Sequence, residues 1–590
     1  MLQPRFRWDL TPSPALDPAL SEAARSLGIS ARVARLLARR GVSDPASLDL
    51  FYGPPERALH DPALLPDADR FCARVLAARR DGERVMVFGD FDADGLTGLA
   101  ILVRVLRRMG LEVEPHVPSR LEDGHGLSMA AVRRAVELGV SLIITVDCGS
   151  TSVAEIQAAA AAGVQVLVTD HHRLPEQLPP AIAIVNPHRS DSRYPERSLA
   201  GSGVAFKLGQ LLMESQGPDP EGAAFALDLA DLAVIGTVAD VAPVLGENRA
   251  IARLGLARLQ RDPRPALAAL MGRGGGSHGD RPRGGSHVDL ETVAFTIAPR
   301  LNAAGRVGEA LDAASLLLTD DPADAARLAD MLEAANGIRR DLTRQAIAEA
   351  RTAPDVVLDN PATVVRGPWP VGIVGLVAAR LSEEQGRPAV VGAELGELVR
   401  ASCRSDGRLD LAAALGSCSD LLVRHGGHAG AAGFEVAAAD WDAFRERFLQ
   451  LAEAVRPADP RRSIAIDLEV PASAVDYELH RELASLAPCG PGHPDPVVLV
   501  RGLSVGRARE ASGGHAQLTL RRERDVLDGV AFGWPELARE VVPGEQLDLV
   551  VRLSSRRFGG FESLQLEIRD AAASQRQPPA IPAAAIEGRP

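Results

Sequence analysis

Three short apolar runs in the first half of this chain end in acidic and imidazole side chains. ERVMVFGD leads into Asp90-Phe91-Asp92-Ala93-Asp94-Gly95, SLIITVDCG ends at Asp147, and VQVLVTDHH ends at Asp170-His171-His172. A fourth acid, Asp240, closes the apolar stretch LDLADLAVIGTVAD. Carboxylates gathered in one place repel one another and are costly to bury unpaired, so such a set implies bound cations. Oxygen ligands joined by one or two imidazoles suit Mn²⁺ or Mg²⁺ better than they suit a thiolate-rich zinc site. Two such ions about 4 Å apart would activate a water and stabilise the leaving oxygen of a phosphoester. Each piece taken alone has a plainer reading. A calcium loop starting at Asp90 needs Glu at its twelfth position, which here is Ile101, and a helix rather than a strand before it. Asp147 alone would be a helix N-cap, and an isolated His-His pair a surface accident. Their joint placement at successive strand ends favours the metal reading.

The elements that must hold these residues follow from the same runs. Apolar strands separated by alanine-rich helical stretches are βαβ alternation, which predicts a parallel sheet covered on both faces, with ligands gathered beyond the carboxyl ends of the strands. Residues 1–80 carry helical spacing and read as an N-terminal cap; 81–318 form the catalytic unit; 319–352 hold one long helical pattern joining it to a second α/β unit at 353–456. From 457 to 572 the texture is strand-like, as in IAIDLEV, PVVLVRGL and EQLDLVVRL, and predicts a small β-barrel of the OB type. The Gly/Ser/Arg-rich insert at 272–286 and the tail at 573–590 have compositions that cannot build a core. The expected fold class is therefore α/β: two α/β lobes joined by a long helix, plus a C-terminal OB-like β-barrel.

Composition narrows the class further. At 590 residues the chain exceeds what one core usually serves. No uninterrupted apolar run approaches the roughly 20 residues of a membrane span, and MLQPRFRWDLTPSP lacks the apolar core of a secretory signal, so the expectation is a cytoplasmic protein with no membrane role. The five cysteines are scattered without a C-x-x-C pair, which argues against both disulfides and a zinc ribbon. A net charge of −13 excludes a protein that coats nucleic acid non-specifically, but not a nuclease with positive charge along its substrate path alone. Lys207 is the only lysine; arginine otherwise supplies the positive charge and suits bidentate phosphate contacts.

DFDADG, TVDCG, TDHH and GTVADVAP, in that order, resemble the four motifs of the DHH phosphoesterase superfamily. VPSRLEDGHGLS, LAGSGVAFKL and FTIAPRLNAAGRVG resemble its RecJ-like branch, GGHAGAAGF (Gly426 to Phe434) resembles the DHHA1 substrate-binding motif, and LAPCGPGHPDPVVLVRGL resembles the entry to that branch's OB-fold. The resemblance implies that Asp90, Asp92, Asp94, Asp147, His171 and Asp240 hold two divalent ions, Mn²⁺ or Mg²⁺. Asp92, Asp94, Asp147 and His172 would then be catalytic, His172 lying against the scissile phosphate. It implies substrate contacts from Arg120, Ser402 and Arg404 to a 5′ phosphate, and from Arg300, Asn302, Arg306 and His428 along the groove. The activity implied is 5′-to-3′ exonucleolytic hydrolysis of single-stranded DNA in repair and recombination. The partners implied are single-stranded DNA and the helicase and single-strand-binding proteins of DNA repair, with a monomeric enzyme. Phe532, Trp534, Phe558 and Phe561 are candidates for base stacking in the barrel, each with core packing as the plainer reading. One departure stands out: the branch carries Trp-His ahead of the second-lobe glycine, whereas this chain has Trp369-Pro370-Val371-Gly372, so a role for that histidine does not transfer.

Two other readings compete. Small DHH enzymes cut cyclic dinucleotides or short RNA but lack the N-terminal cap and the barrel, and the pyrophosphatase branch has histidine where this chain has Phe88. A catalytically inactive nucleic-acid scaffold is opposed by the complete acidic set.

Overall fold

The computed structural model describes residues 2–10, 12, 15–118, 126–272, 288–353, 357, 359–459, 461–522, 525–558 and 561–574. Packing divides the chain into two compact units, one formed by Leu50–Pro460 with Pro488–His493, the other by Met1–Asp49, Arg461–Ala487 and Pro494–Pro590.

In the first unit, strands β1 (Arg84–Gly89), β2 (Glu112–His116), β3 (Leu142–Val146), β4 (Gln165–Thr169) and β5 (Ala183–Val185) form a sheet in the order β2-β1-β3-β4-β5, every pair parallel. Val85 and Val87 of β1 face one core while Met86 and Phe88 face another, the alternation of a strand buried on both sides. The first core is closed by α1 (Ala93–Arg108), α2 (Gly201–Glu214) and α3 (Ala230–Ala239). Chain order reverses between β1 and β3, so the crevice beyond their carboxyl ends is the switch point where an open α/β sheet receives ligands. Pro220–Ala239 is long and apolar enough to cross a membrane by composition, yet 61% of that window is buried inside this fold. Within it Asp231 pairs with Arg264 at 2.8 Å.

After α4 (Ala298–Val307) comes α5 (Pro322–Thr352), 31 residues and about 46 Å long. Its first half buries Ala325, Leu328, Ala329 and Leu332 in the first core; its last turns bury Ala346 and Ala350 in a second. This is the connecting helix expected at 319–352. The second lobe pairs β6 (Thr363–Gly367) with β7 (Ala389–Leu395) in parallel and continues antiparallel through β8 (Leu398–Arg404) and β10 (Ala431–Ala437) to the edge strand β9 (Leu422–Gly427). Helix α6 (Val371–Gln385) packs on this sheet.

In the other unit, β11 (Val498–Ala511), β12 (His515–Arg522), β13 (Asp525–Ala531), β14 (Gln546–Phe558) and β15 (Phe561–Ala573) run in the order β11-β12-β13-β15-β14, and β14 pairs back onto β11, closing a five-stranded barrel. Helices Pro18–Ser26 and Ala31–Arg39 answer the helical spacing of the N-terminal region, but Arg7–Leu10 is a strand, paired in parallel with Ser463–Ile466. Asp570, fully buried, accepts from the N–H groups of Arg5 and Phe6 and from Trp8 Nε1, fastening that strand to β15. Apart from Gly272, which ends a helix, the insert expected at 272–286 lies outside the described residues, as does the tail beyond 574.

Candidate metal centre and active site

Local sequence accounts for the position of each acid. At the end of β1 the chain turns directly into α1 with Asp92 as N-cap, its Oδ1 accepting the N–H of Asp94 at 3.0 Å and of Gly95 at 3.1 Å. Asp90 is buried and accepts the N–H of Phe91 at 2.8 Å. Asp94 is gripped by the first turn of α2, accepting the N–H of Gly201 at 2.6 Å and of Ser202 at 2.9 Å, where the helix dipole favours negative charge. Such close approach needs residues without side chains. A Cβ on Gly201 would lie 2.6 Å from Asp147 Cβ, and one on Gly236 of α3 would overlap Asp94 Oδ1. Asp147, at the end of β3, has a φ of 61°, a left-handed conformation that Asp and Asn tolerate better than most residues. Asp240 forms the C-cap of α3.

These elements bring the acids to one imidazole. His171 Nε2 lies 3.0 Å from Asp147 Oδ1 and 3.7 Å from Asp94 Oδ2, and its Nδ1 lies 3.8 Å from Asp240 Oδ2. Asp94, His171 and Asp240 offer donor atoms within 4.8 Å of one another, and so do Asp147, His171 and His172. Among the described residues, Asp147 Oδ1 and His171 Nε2 are both buried without a hydrogen-bond partner, although they face each other. Two lone pairs converging unsatisfied in a buried place are the arrangement a cation completes. Burial, reinforced by the neighbouring aspartates, pushes the carboxyl of Asp92 up to about 6, that of Asp240 up to about 8 and that of Asp147 well above the usual carboxylate range. A divalent ion would relieve the mutual repulsion that contributes to all three. Burial also holds His171 below its ordinary value, which favours the neutral, ligating imidazole. The thiol of Cys148, likewise pushed up by burial, stays protonated, so the donor set is oxygen and imidazole and fits Mn²⁺ or Mg²⁺.

His172 is held differently. Its Nδ1 lies 2.8 Å from Asp170 Oδ1, and Asp170 also accepts the N–H groups of His171 at 2.8 Å, His172 at 3.0 Å and Ser150 at 3.0 Å. The hydrogen bond to Asp170 pulls His172 up to about 9. Against the effect of burial, the same bond holds Asp170 well below the usual range. His172 is therefore an oriented imidazolium on the wall of a cleft of about 1150 Å³ that His171, Asp240 and His428 also line. Asp170 stood in the sequence motif, but the reading of that motif assigned it no role. The buried Asn186, which donates to the His172 carbonyl at 2.9 Å, carried no signal beyond an Asn at a strand end, and the Gly201-Ser202 turn lies within LAGSGVAFKL, a motif that carried resemblance but no role beside the acids.

The expected substrate residues are distributed unevenly. His428 is on the cleft wall. Arg300 is not: it is buried, with Nε 2.5 Å from Glu333 of α5 and Nη1 donating to the Thr296 carbonyl at 2.6 Å, because a guanidinium drawn into the core needs a carboxylate. Asn302 accepts the N–H of Ala93 at 2.8 Å and so braces the first turn of α1. Arg306 donates to the Gly372 carbonyl at 2.8 Å, bridging α4 and α6, and a Cβ on Gly372 would meet the Arg306 carbonyl at 2.5 Å. Ser402 and Arg404 share β8 and are joined by an Nη1–Oγ hydrogen bond of 2.9 Å beside Gly375. Pro370 is the N-cap of α6, and Trp369 Nε1 donates to Glu349 at 2.7 Å. In the barrel Trp534 is buried and Phe532 exposed. Arg120 and the side chains of Phe558 and Phe561 lie outside the described residues.

Three family models match the chain: the DHH family N-terminal domain over residues 84–237, the DHHA1 domain over 360–454 and the RecJ OB domain over 466–570. Over 585 residues the chain is 35% identical to the single-stranded-DNA-specific exonuclease RecJ of Bacillus subtilis (strain 168), covering 98% of this chain and 72% of that protein. Its structure superposes on that of RecJ from Thermus thermophilus in complex with Mn²⁺ with a TM-score of 0.81 at 33% identity, covering 97% of this chain and 80% of the other. The Mg²⁺ complex of the same protein gives 0.76 at 32% identity, covering 97% of this chain and 79% of the other.

Proposed function

From the premise that this chain belongs to the RecJ family and is a metal-dependent nuclease, we propose that it degrades single-stranded DNA from a 5′ end, releasing 5′-mononucleotides for DNA repair and recombination. The observation that carries the chemistry is the convergence of Asp94, Asp147, Asp240 and His171, with the orphaned Asp147 Oδ1 and His171 Nε2 3.0 Å apart, at the switch point of the sheet. Asp90, Asp92, Asp94, Asp147, His171 and Asp240 would hold two divalent ions, which when bound supply Lewis acidity at phosphoryl oxygens and make water a stronger nucleophile. His172, fixed through Nδ1 by Asp170, turns its other ring nitrogen to the substrate and stabilises the charge that develops on the phosphate. Ser402 and Arg404 take the 5′ phosphate, to which a guanidinium fork is suited, and His428 approaches the strand from the second lobe. Arg306 and Asn302 act by holding α6 and the first turn of α1 in place. The preference for single strands and the polarity draw their support from family membership.

The test is cleavage of single-stranded DNA labelled at either end, in Mn²⁺, beside a duplex, a single-stranded RNA and a cyclic dinucleotide, with Asp147→Ala as control. Mononucleotides released from the 5′ end of single-stranded DNA alone are the expected result. Cleavage of only the cyclic dinucleotide or short RNA would leave the metal chemistry and overturn the polymer assignment.

A further inference from the structure

The loop that follows His171-His172 carries a basic feature that the reaction described above does not use. Arg173 and His188 line the same cleft as His171, His172 and Asp240, and both side chains are exposed to it. Their position is built into the fold. Asn186 accepts the N–H of His188 at 2.9 Å and donates to the His172 carbonyl at 2.9 Å, so the turn carrying His188 is indexed to the imidazole beside the metal centre. The next residue, Arg189, is committed to structure, paired with Asp67 at 2.6 Å and with Asp191 at 2.7 Å. Among the described residues no carboxylate pairs with Arg173, His188 or Arg197. Burial, and then the positive charges of Arg197 and Arg173 against the opposing charge of Asp170, hold His188 below its ordinary value. Of the acids on this wall, Asp191 is already paired with Arg189 and Asp240 belongs to the metal centre, leaving Glu176. A guanidinium without a carboxylate partner and an imidazole on one wall beside an acidic centre, in a chain of net charge −13, call for an anion.

We propose that Arg173 and His188 bind a phosphate of the nucleic-acid strand adjacent to the one being cut. The proposal rests on the reading of the chain as a nuclease for single strands. The guanidinium fork and the imidazole N–H both donate to phosphate oxygens. The interaction fixes the register of the strand over the metal centre without touching the reacting phosphate.

The test compares wild type with Arg173→Gln, His188→Gln and, as a control exposed on the same loop but not on the cleft wall, Arg193→Gln. Steady-state cleavage of a single-stranded oligonucleotide is measured in Mn²⁺ across a salt series, then with oligonucleotides carrying one uncharged methylphosphonate linkage at successive positions. The two cleft variants should raise KM about tenfold, the loss of one charge-assisted hydrogen bond, with kcat changed less than about twofold. The slope of log(kcat/KM) against log[salt] should flatten by about 0.7 in the Arg173 variant, which removes a cation, and the Arg193 variant should match wild type. One methylphosphonate position should penalise wild type and leave the cleft variants unaffected. Wild-type KM and salt slope in both variants would overturn the proposal, as would methylphosphonate penalties that add in full at every position or a loss confined to kcat. Unchanged thermal unfolding certifies that the variants are folded. Absence of single-strand cleavage by wild type overturns the functional reading and the proposal together; wild-type behaviour of the variants with cleavage intact overturns the proposal alone.

Discussion

Asp147 is buried among like-charged neighbours on a left-handed backbone, a combination that an ordinary core residue avoids and that a bound cation would offset. Asparagine keeps the shape and tolerates that backbone while removing the charge. Asp147→Asn should therefore unfold about 2 °C above wild type in chelator, whereas added Mn²⁺ should raise the melting temperature of wild type and leave the variant nearly unmoved; calorimetry in both buffers reads the crossing. Asp170 acts through another residue. Asp170→Asn removes the carboxylate that orients His172 and should lower kcat roughly 10- to 100-fold with a much smaller change in KM, seen in steady-state kinetics at saturating Mn²⁺. At this scale the acids that converge on His171 were legible because each closes or follows an apolar run. Arg300 was expected along the groove, and its motif does not reveal that the guanidinium turns inward to Glu333, a residue far along the chain. The bracing roles of Asn302 and Asn186 were hidden for the same reason: their partners, Ala93 and the His172 carbonyl, are neighbours only in space.

The elements act as clamps on that centre. Helices α1, α2 and α3 meet where Gly201 and Gly236 omit a side chain, and Gly236→Ala would drive a methyl group into Ser202 and Asp94. The expected cost is roughly 1–3 kcal/mol in chemical denaturation, accompanied by loss of metal-dependent activity because Asp94 must move. Glu247 provides a second clamp: fully buried, it is 3.1 Å from Lys207 Nζ on α2 and accepts from Tyr194 Oη at 2.7 Å. Glu247→Ala would strand a buried ammonium and should cost about 3–5 kcal/mol, read as a lower denaturation midpoint. The strands that carry the acids were plain from their uninterrupted apolar runs. The edge strands β2 and β5 were not, because EVEPH alternates with charge and AIV is only three residues long.

For the whole molecule, the unit that contains the barrel is assembled from both ends of the sequence, Met1–Asp49 with Arg461–Ala487 and Pro494–Pro590. Asp570 anchors the N-terminal strand by accepting from three donors, so Asp570→Ala should lower the unfolding transition of the barrel unit by roughly 3 kcal/mol. Calorimetry should find the transition of the unit containing Asp147 unchanged. The parallel pairing of Arg7–Leu10 with Ser463–Ile466 was invisible to a reading of local periodicity, because the strands are separated by almost the entire first unit. The kind of chemistry, the order of the lobes, the long helix between them and the barrel were determined by the sequence alone. Side-chain type, apolar period and turn residues act over a few neighbours and are written in linear order. Which carboxylate meets which imidazole, which arginines are consumed by ion pairs and which remain to face the cleft was decided only by tertiary structure. Those outcomes depend on the switch point of the sheet and on helices brought together from distant segments, where distances of about 3 Å and the desolvation of each charge settle what every side chain is able to do.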